Sequence, residues 1–350
     1  MSNFYALTLA EVIEDNNAVI WGLSIPEELK STFAFEAGQH LTFRCMHDGE
    51  ELRRSYSICS SASDSMIKVL IKSVEDGRFS QSARHNYQVG DVIDVMPPSG
   101  HFSLQPQEGK TYVGFAAGSG ITPIMGMMYA TMQQTETARF ILFYGNSTSQ
   151  DILLHQDIAA LKDHYHDRLS LHFLMSRQKV ELEVYQGRID QEKVSFFLKN
   201  VLQNVDVSDY FVCGPGEMID TVCAALTGSG IDSQKVHNER FLSDGQEIRP
   251  SQKRVKQDAG VTVTLDGANA RCDIKAGETV TLLESAQQAG IDLPYSCKAG
   301  VCATCRCRLL EGEVEMINNY SLEQWELDAG YILSCQSVAK SSKIHISFDE

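Results

Sequence analysis

Residues 295–307 read YSCKAGVCATCRC, and they decide how the C-terminal third of this chain is read. Cys297, Cys302 and Cys305 stand in C-x4-C-x2-C spacing, and Cys335 follows after a further 29 residues. This is the plant-type spacing for a [2Fe–2S] cluster, in which three thiolates come from one tight loop and the fourth returns from a distant element. Gly300 sits inside the loop, where a Cβ is expected to obstruct backbone passing close to inorganic sulfide. Structural zinc is the rival use, but zinc sites usually pair two C-x2-C units and only one occurs here. Disulfides are the other rival. The opening MSNFYALTLAEV has neither a charged n-region nor an apolar h-region, so a cytoplasmic location with reduced thiols is expected. Cys307, two residues past Cys305, competes as a ligand; the full pattern is complete without it, so it is read as a core residue of the next strand. Cys45, Cys59, Cys223 and Cys272 are read as buried small hydrophobes.

Working outward, 350 residues exceed one ordinary core and suit two or three domains. The formal net charge of −16 disfavours nucleic acid and anionic membranes as partners. No apolar run approaches the ~20 residues that span a bilayer. Residues 1–106 alternate in short strands such as HLTFRC and MIKVLIKSV, which predicts an antiparallel β-barrel. In residues 107–242 the short apolar runs TYVGFAA, RFILFYG, LSLHFLM and DYFVCG alternate with helical stretches, which predicts an α/β domain on a parallel sheet. Residues 243–260 read as a linker, expected to let the cluster swing between donor and acceptor. Residues 261–350 read as a small sheet wrapped on one helix, a β-grasp domain carrying the cysteines.

Three further motifs carry chemistry. Arg54-Ser55-Tyr56-Ser57 places a guanidinium fork for phosphate, a flat aromatic face and a hydroxyl on one strand. Gly77-Arg78-Phe79-Ser80 opens a helix, where a pyrophosphate is favoured and where Ser80 as a simple cap is the plainer reading. Gly118-Ser119-Gly120-Ile121-Thr122-Pro123 follows the strand TYVGFAA, and Cys213-Gly214-Pro215-Gly216 follows DYFVCG. Both lie at C-terminal strand ends, the edge at which parallel sheets bind ligands. Pro123 suits a first helical turn.

In this order, R-x-Y-S, G-R-F-S, G-S-G-I-T-P and C-G-P resemble the ferredoxin–NADP reductase superfamily. With the appended ferredoxin domain, LFYGN, HNERF and NYSLEQWELDAGYILSCQ extend the likeness to reductases of phenylacetyl-CoA ring-epoxidising systems. The resemblance implies an NADPH-dependent reductase passing electrons through FAD and the cluster to a di-iron oxygenase. It implies that Arg54, Tyr56 and Ser57 hold the flavin, with Leu70, Ile71 and Lys72 beside it and Gly77, Phe79 and Ser80 at the pyrophosphate. Gly118, Gly120, Gly214 and Pro215 line the nucleotide, Thr122 and Cys213 flank the nicotinamide, and Glu239 and Phe241 close over the flavin face. Tyr56 and Cys213 are the residues assigned to the hydride step. Asn146, Ser176 and Arg177 fall at the adenosine end, where Arg177 favours a 2′-phosphate; Ser147, where relatives carry a basic residue, weakens that preference and keeps NADH open. Reductases of steroid or alkyl hydroxylases are the nearest alternative, and a non-enzymatic iron–sulfur sensor is an alternative of a different class.

Overall fold

A computed structural model describes residues 4–241, 255–322 and 324–349. The chain divides into two compact units, one of residues 6–41 and 56–241 and the other of residues 1–5, 42–55 and 242–350. The first block holds β1 (Tyr5–Asp15), β2 (Ala18–Ser24), β3 (His40–His47), β4 (Glu50–Ser57), β5 (Met66–Lys72), α1 (Arg78–His85) and β6 (Val92–Val95). Strands β6, β1, β2 and β5 lie side by side in that order, with β1, β2 and β5 antiparallel. The antiparallel flavin-type domain is thus present. Thr42–Ser55, most of the β3–β4 hairpin, falls in the second unit, a division that no linker or composition shift announces.

The second block is the parallel sheet, with strands β7 (Thr111–Ala117), β8 (Arg139–Asn146), β9 (Leu169–Met175), β10 (Val207–Gly214) and β11 (Val236–Arg240). Helices α2 (Ile121–Gln134), α3 (His155–His164), α4 (Gln191–Asn200) and α5 (Gly216–Gly228) connect them. Strand order is β11-β10-β7-β8-β9, all neighbours parallel, so the winding reverses between β7 and β10. Such a reversal opens the crevice in which α/β sheets bind ligands. Helix α2 is apolar nearly all round, and Ile121, Ile124, Met125, Met127, Met128 and Met132 are fully buried or nearly so, as a helix inside the fold must be.

The third block contains β12 (Ala259–Leu265), β13 (Ala268–Ile274), α6 (Leu282–Gln288), β14 (Arg306–Glu311), β15 (Val314–Met316), α7 (Gln324–Asp328), β16 (Tyr331–Leu333), β17 (Ser337–Ala339) and β18 (Lys343–Ser347). Its main sheet runs β13-β12-β18-β14-β16, with β12 and β18 parallel. The β12–β13 turn uses Asp266 and Gly267, both at positive φ, which matches the twist of a two-residue hairpin. At the start of α6, Thr281 Oγ1 accepts from Glu284 N–H and Glu284 accepts from Thr281 N–H, a reciprocal capping box. Leu282, Leu283 and Ala286 bury the helix in the core.

The linker expected over 243–260 needs correction at its end. Residues 242–254 lie outside the described residues, but Val255 is 2% exposed in the core and β12 begins at Ala259, so the folded chain resumes before residue 261. Cys59 and Cys272 are buried as expected, whereas Cys45 and Cys223 are half-buried. Among the described residues no helix is long and apolar enough to cross a membrane.

Candidate functional site

The cysteine loop is shaped by backbone that only a few residues adopt without strain. Lys298, Gly300 and Ala303 all have positive φ, which turns successive N–H groups to one side. Ala299 N–H donates to Cys297 Sγ at 3.4 Å. The Cys297 thiol is held down at about 6 by its hydrogen bond with Cys302 and by the N–H groups of Ala299, Val301 and Cys302, against the opposing effect of burial. Cys305 and Cys335 are 2% and 3% exposed and hydrogen-bond each other through their sulfurs. Ser334 anchors the returning element, donating through Oγ to the Cys305 carbonyl at 3.0 Å.

The four thiols thus gather as two touching pairs, Cys297 with Cys302 and Cys305 with Cys335. Among the described residues no three ligating side chains converge on one ion. Two pairs are what a two-iron cluster asks of its protein sulfurs, so the donor set fits [2Fe–2S]. Cys307 lies in β14, 1% exposed within the core, and completes neither pair. At Gly300 a Cβ would also meet protein, the Asn318 carbonyl at 3.0 Å and Gln336 Cγ at 3.1 Å, and φ of +79° adds a further requirement for glycine.

On β4, strand alternation puts Arg54 and Tyr56 on one face and Ser57 on the other. The Tyr56 ring lies 5.5 Å from Phe79, which in turn lies 6.1 Å from Trp21. Phe79 is 1% exposed, so its ring is core and only its backbone is offered at the helix start. Ser80 is likewise buried, and its hydroxyl donates to the Gly77 carbonyl; the N-cap position is Gly77 itself, with no side-chain cap. Leu70 and Ile71 turn their side chains inward, and β5 is the last strand of its sheet. Ile58 and Cys59 cover that outer edge at Lys68 and Val69, so what β5 presents beyond them is main chain and the half-buried Lys72.

The reversal between β7 and β10 brings the two glycine motifs together. A Cβ on Gly120 lies 2.2 Å from the Cys213 carbonyl oxygen and 2.7 Å from Gly214 N, so these backbones touch only because residue 120 is glycine. Gly118 has φ of +54°, with Lys72 Nζ 3.5 Å from its Cβ position. Tyr144 Oη donates to the Gly118 carbonyl at 3.0 Å, a role that its place in LFYGN did not signal. Thr122 is 2% exposed and spends its hydroxyl on the Ser119 carbonyl at 3.0 Å. Pro215 precedes α5.

Parallel register sets Cys213 opposite Glu239, and Ser57 Oγ donates to Glu239 Oε2 at 3.3 Å. Ser57, Cys213 and Glu239, far apart in sequence, thereby meet beside the glycine loops. Phe241 packs on the core just beyond. At the other end of the crevice, Ser176 donates through both N–H and Oγ to the Asn146 carbonyl, and Arg177 N–H donates to the Ser147 carbonyl at 2.8 Å. The Arg177 side chain is exposed, and among the described residues the buried Oδ1 of Asn146 has no hydrogen-bond partner.

Glu239 is half-buried as a residue, but its carboxyl points inward against Ser57. Burial pushes it up to about 8, with the Ser57 bond acting in the opposite direction. The folded state therefore keeps a proton that the unfolded chain releases near 4.5. This stabilisation is complete below about 4.5 and is lost progressively as pH rises towards 8. Glu239→Gln, which mimics the protonated form, is expected to flatten that slope. Its melting temperature relative to the parent should rise by at least ~3 °C between pH 5 and pH 9; parallel melting curves across that range would refute the assignment.

Three domain families match along the chain. These are the oxidoreductase FAD-binding domain over residues 7–104, the oxidoreductase NAD-binding domain over residues 115–224, and the 2Fe-2S iron-sulfur cluster binding domain over residues 263–340. The chain is 40% identical to one component of the 1,2-phenylacetyl-CoA epoxidase of Escherichia coli K12, with 100% of this chain and 99% of that protein aligned. It is 32% identical to the ferredoxin reductase component of 3-ketosteroid-9-alpha-monooxygenase from Rhodococcus rhodochrous, covering 98% and 96%. Its fold matches phthalate dioxygenase reductase at a TM-score of 0.60 and 22% identity, over 99% of this chain and 98% of that one. The chain belongs to the reductase branch of the ferredoxin–NADP reductase superfamily that joins FAD-binding, NAD-binding and [2Fe–2S] domains, and it is an oxidoreductase that passes electrons from a pyridine nucleotide through FAD to the cluster.

Proposed function

We propose that the chain is the NADPH-dependent reductase of a multicomponent di-iron oxygenase that epoxidises the ring of phenylacetyl-CoA. The full-length 40% identity to a component of such an epoxidase carries the reading. When bound, FAD accepts two electrons together as hydride and the cluster passes them on singly, at a potential that for this cluster type lies near about −400 mV. Arg54 supplies the phosphate fork, Tyr56 the ring face and Ser57 a hydroxyl, with the outer edge of β5 and the Gly77–Ser80 turn completing the flavin site. Gly118, Gly120, Gly214 and Pro215 bring bare backbone to the nucleotide. The buried Cys213 and the protonated Glu239 keep charge and water away from the transferring hydride. Cys297, Cys302, Cys305 and Cys335 hold the irons.

Arg177 at the end of β9 supports NADPH, since an exposed guanidinium beside Ser176 is suited to grip a 2′-phosphate. Arg177→Ala is expected to raise KM for NADPH about 10-fold and leave KM for NADH unchanged, because one charge-assisted contact is lost. Equal effects on both nucleotides would exclude this residue as the discriminator. The acceptor is tested by turnover with purified oxygenases. Coupled NADPH oxidation with a phenylacetyl-CoA epoxidase, and none with a ketosteroid hydroxylase, is the expected outcome; the reverse assigns the chain to steroid hydroxylation, as its second relative would suggest.

A further inference from the structure

Arg53 belongs to none of the motifs, yet it is 6% exposed, and arginine is seldom buried without partners. It lies in the Thr42–Ser55 stretch that shares a compact unit with the cluster domain. Its guanidinium carbon stands 4.1 Å from the centre of the Tyr295 ring and 4.9 Å from that of Phe4. Nε meets Glu51 at 2.8 Å and Nη2 meets Asp292 at 3.5 Å. Tyr295 closes the circuit, donating its hydroxyl to Glu51 at 3.3 Å. Alongside, Ser55 Oγ donates to Ser296 Oγ at 2.8 Å and shares a 2.9 Å hydrogen bond with Thr42. Tyr295 and Ser296 immediately precede Cys297, and Ser55 immediately precedes Tyr56.

We propose that Arg53 is a positioning residue for electron transfer from flavin to cluster: with Glu51, Asp292 and Tyr295 it clamps the strand bearing R-x-Y-S to the loop bearing Cys297. In that step one electron leaves the reduced flavin and one ferric iron becomes ferrous. No atom moves with it, so its rate depends on how closely and steadily the two groups are held. A linker alone leaves that separation to diffusion. An exposed ion pair would add little, but here the cation is stripped of water between two ring faces, where its contacts are strongest. The proposal rests on the flavin lying at Arg54–Ser57.

The test uses full-length protein loaded with both cofactors, comparing the parent with Arg53→Ala and with Tyr295→Leu, which opens the same clamp from the other side. Anaerobic rapid mixing with NADPH follows flavin bleaching and then cluster reduction, and hydrogen exchange follows the amides of residues 293–298. Expected are unchanged flavin bleaching, cluster reduction at least ~10-fold slower, an unaltered cluster EPR spectrum and faster exchange at 293–298. Cluster reduction at the parent rate in a variant that retains both cofactors, or unchanged exchange in that segment, overturns the proposal. Should Arg53→Ala fail to fold, Tyr295→Leu decides. The flavin placement is tested separately by FAD retention in Arg54→Ala: full retention there would sink the placement whatever the Arg53 variants show.

Discussion

Cys305→Ser is expected to abolish the [2Fe–2S] spectrum while leaving NADPH-driven flavin bleaching intact, and to slow reduction of a cluster-dependent acceptor at least ~100-fold. Cys305 is 2% exposed and pairs with Cys335, so a serine at this position keeps the shape of the loop but replaces a soft thiolate with a hard, weakly acidic oxygen. A bound cluster would also organise its own loop. Lys298 and Ala303 sit at positive φ without being glycine, a local cost that thiolate–iron bonds would offset. Loss of the cluster should therefore lower the melting temperature of the C-terminal domain as well as remove its colour. The partner experiment is Cys307→Ser. Because Cys307 faces the core of β14, that variant should keep the full cluster signal and lose only about 1–2 kcal/mol from burying a hydroxyl. Absorption and low-temperature EPR of the two proteins decide the matter. A cluster that survives Cys305→Ser and vanishes in Cys307→Ser would reassign the ligand set.

Gly120→Ala should cost about 100-fold in kcat/KM for the pyridine nucleotide, together with roughly 2–3 kcal/mol of stability. Its φ is ordinary, so strain is not the cause. The added methyl would occupy space 2.2 Å from the Cys213 carbonyl oxygen and 2.7 Å from Gly214 N, neither of which belongs to a side chain that can swing aside. Either β10 or the G-S-G-I-T-P loop must retreat by something like an ångström. The crevice between β7 and β10 would then widen where the nucleotide enters, and Cys213 would leave its register with Glu239. Gly228→Ala at the end of α5 is the control. Among the described residues nothing beyond its chain neighbours and its own helix lies within 4 Å of its Cβ position, and alanine there is expected to be neutral or slightly stabilising. Steady-state kinetics and thermal melts of both variants test this; a Gly120→Ala protein that matches the control would show that the two loops have room to spare.

Much of the molecule was legible along the chain because its chemistry is local. The C-x4-C-x2-C loop needs only nine residues to declare itself, and the alternation of apolar runs with helices announces a parallel sheet. Local reading faltered where a residue's neighbours come from elsewhere. Ser80 reads as a helix cap, yet the N-cap position is Gly77 and has no side-chain cap. Val255 answers to a core that begins before the expected linker ends.

By itself, then, the amino-acid order determined three cofactor-type domains and marked the cysteines proposed to bear the cluster and the strand ends proposed to hold ligands, since each follows from spacing within a few tens of residues. Only the tertiary structure decided that Ser57, Cys213 and Glu239 meet, that the two glycine loops touch at Gly120, and that Arg53 lies between the rings of Phe4 and Tyr295. These contacts span up to about 240 residues of chain. They exist because sheet register and burial, which are set by the whole core at once, bring together groups whose local sequences carry no trace of each other.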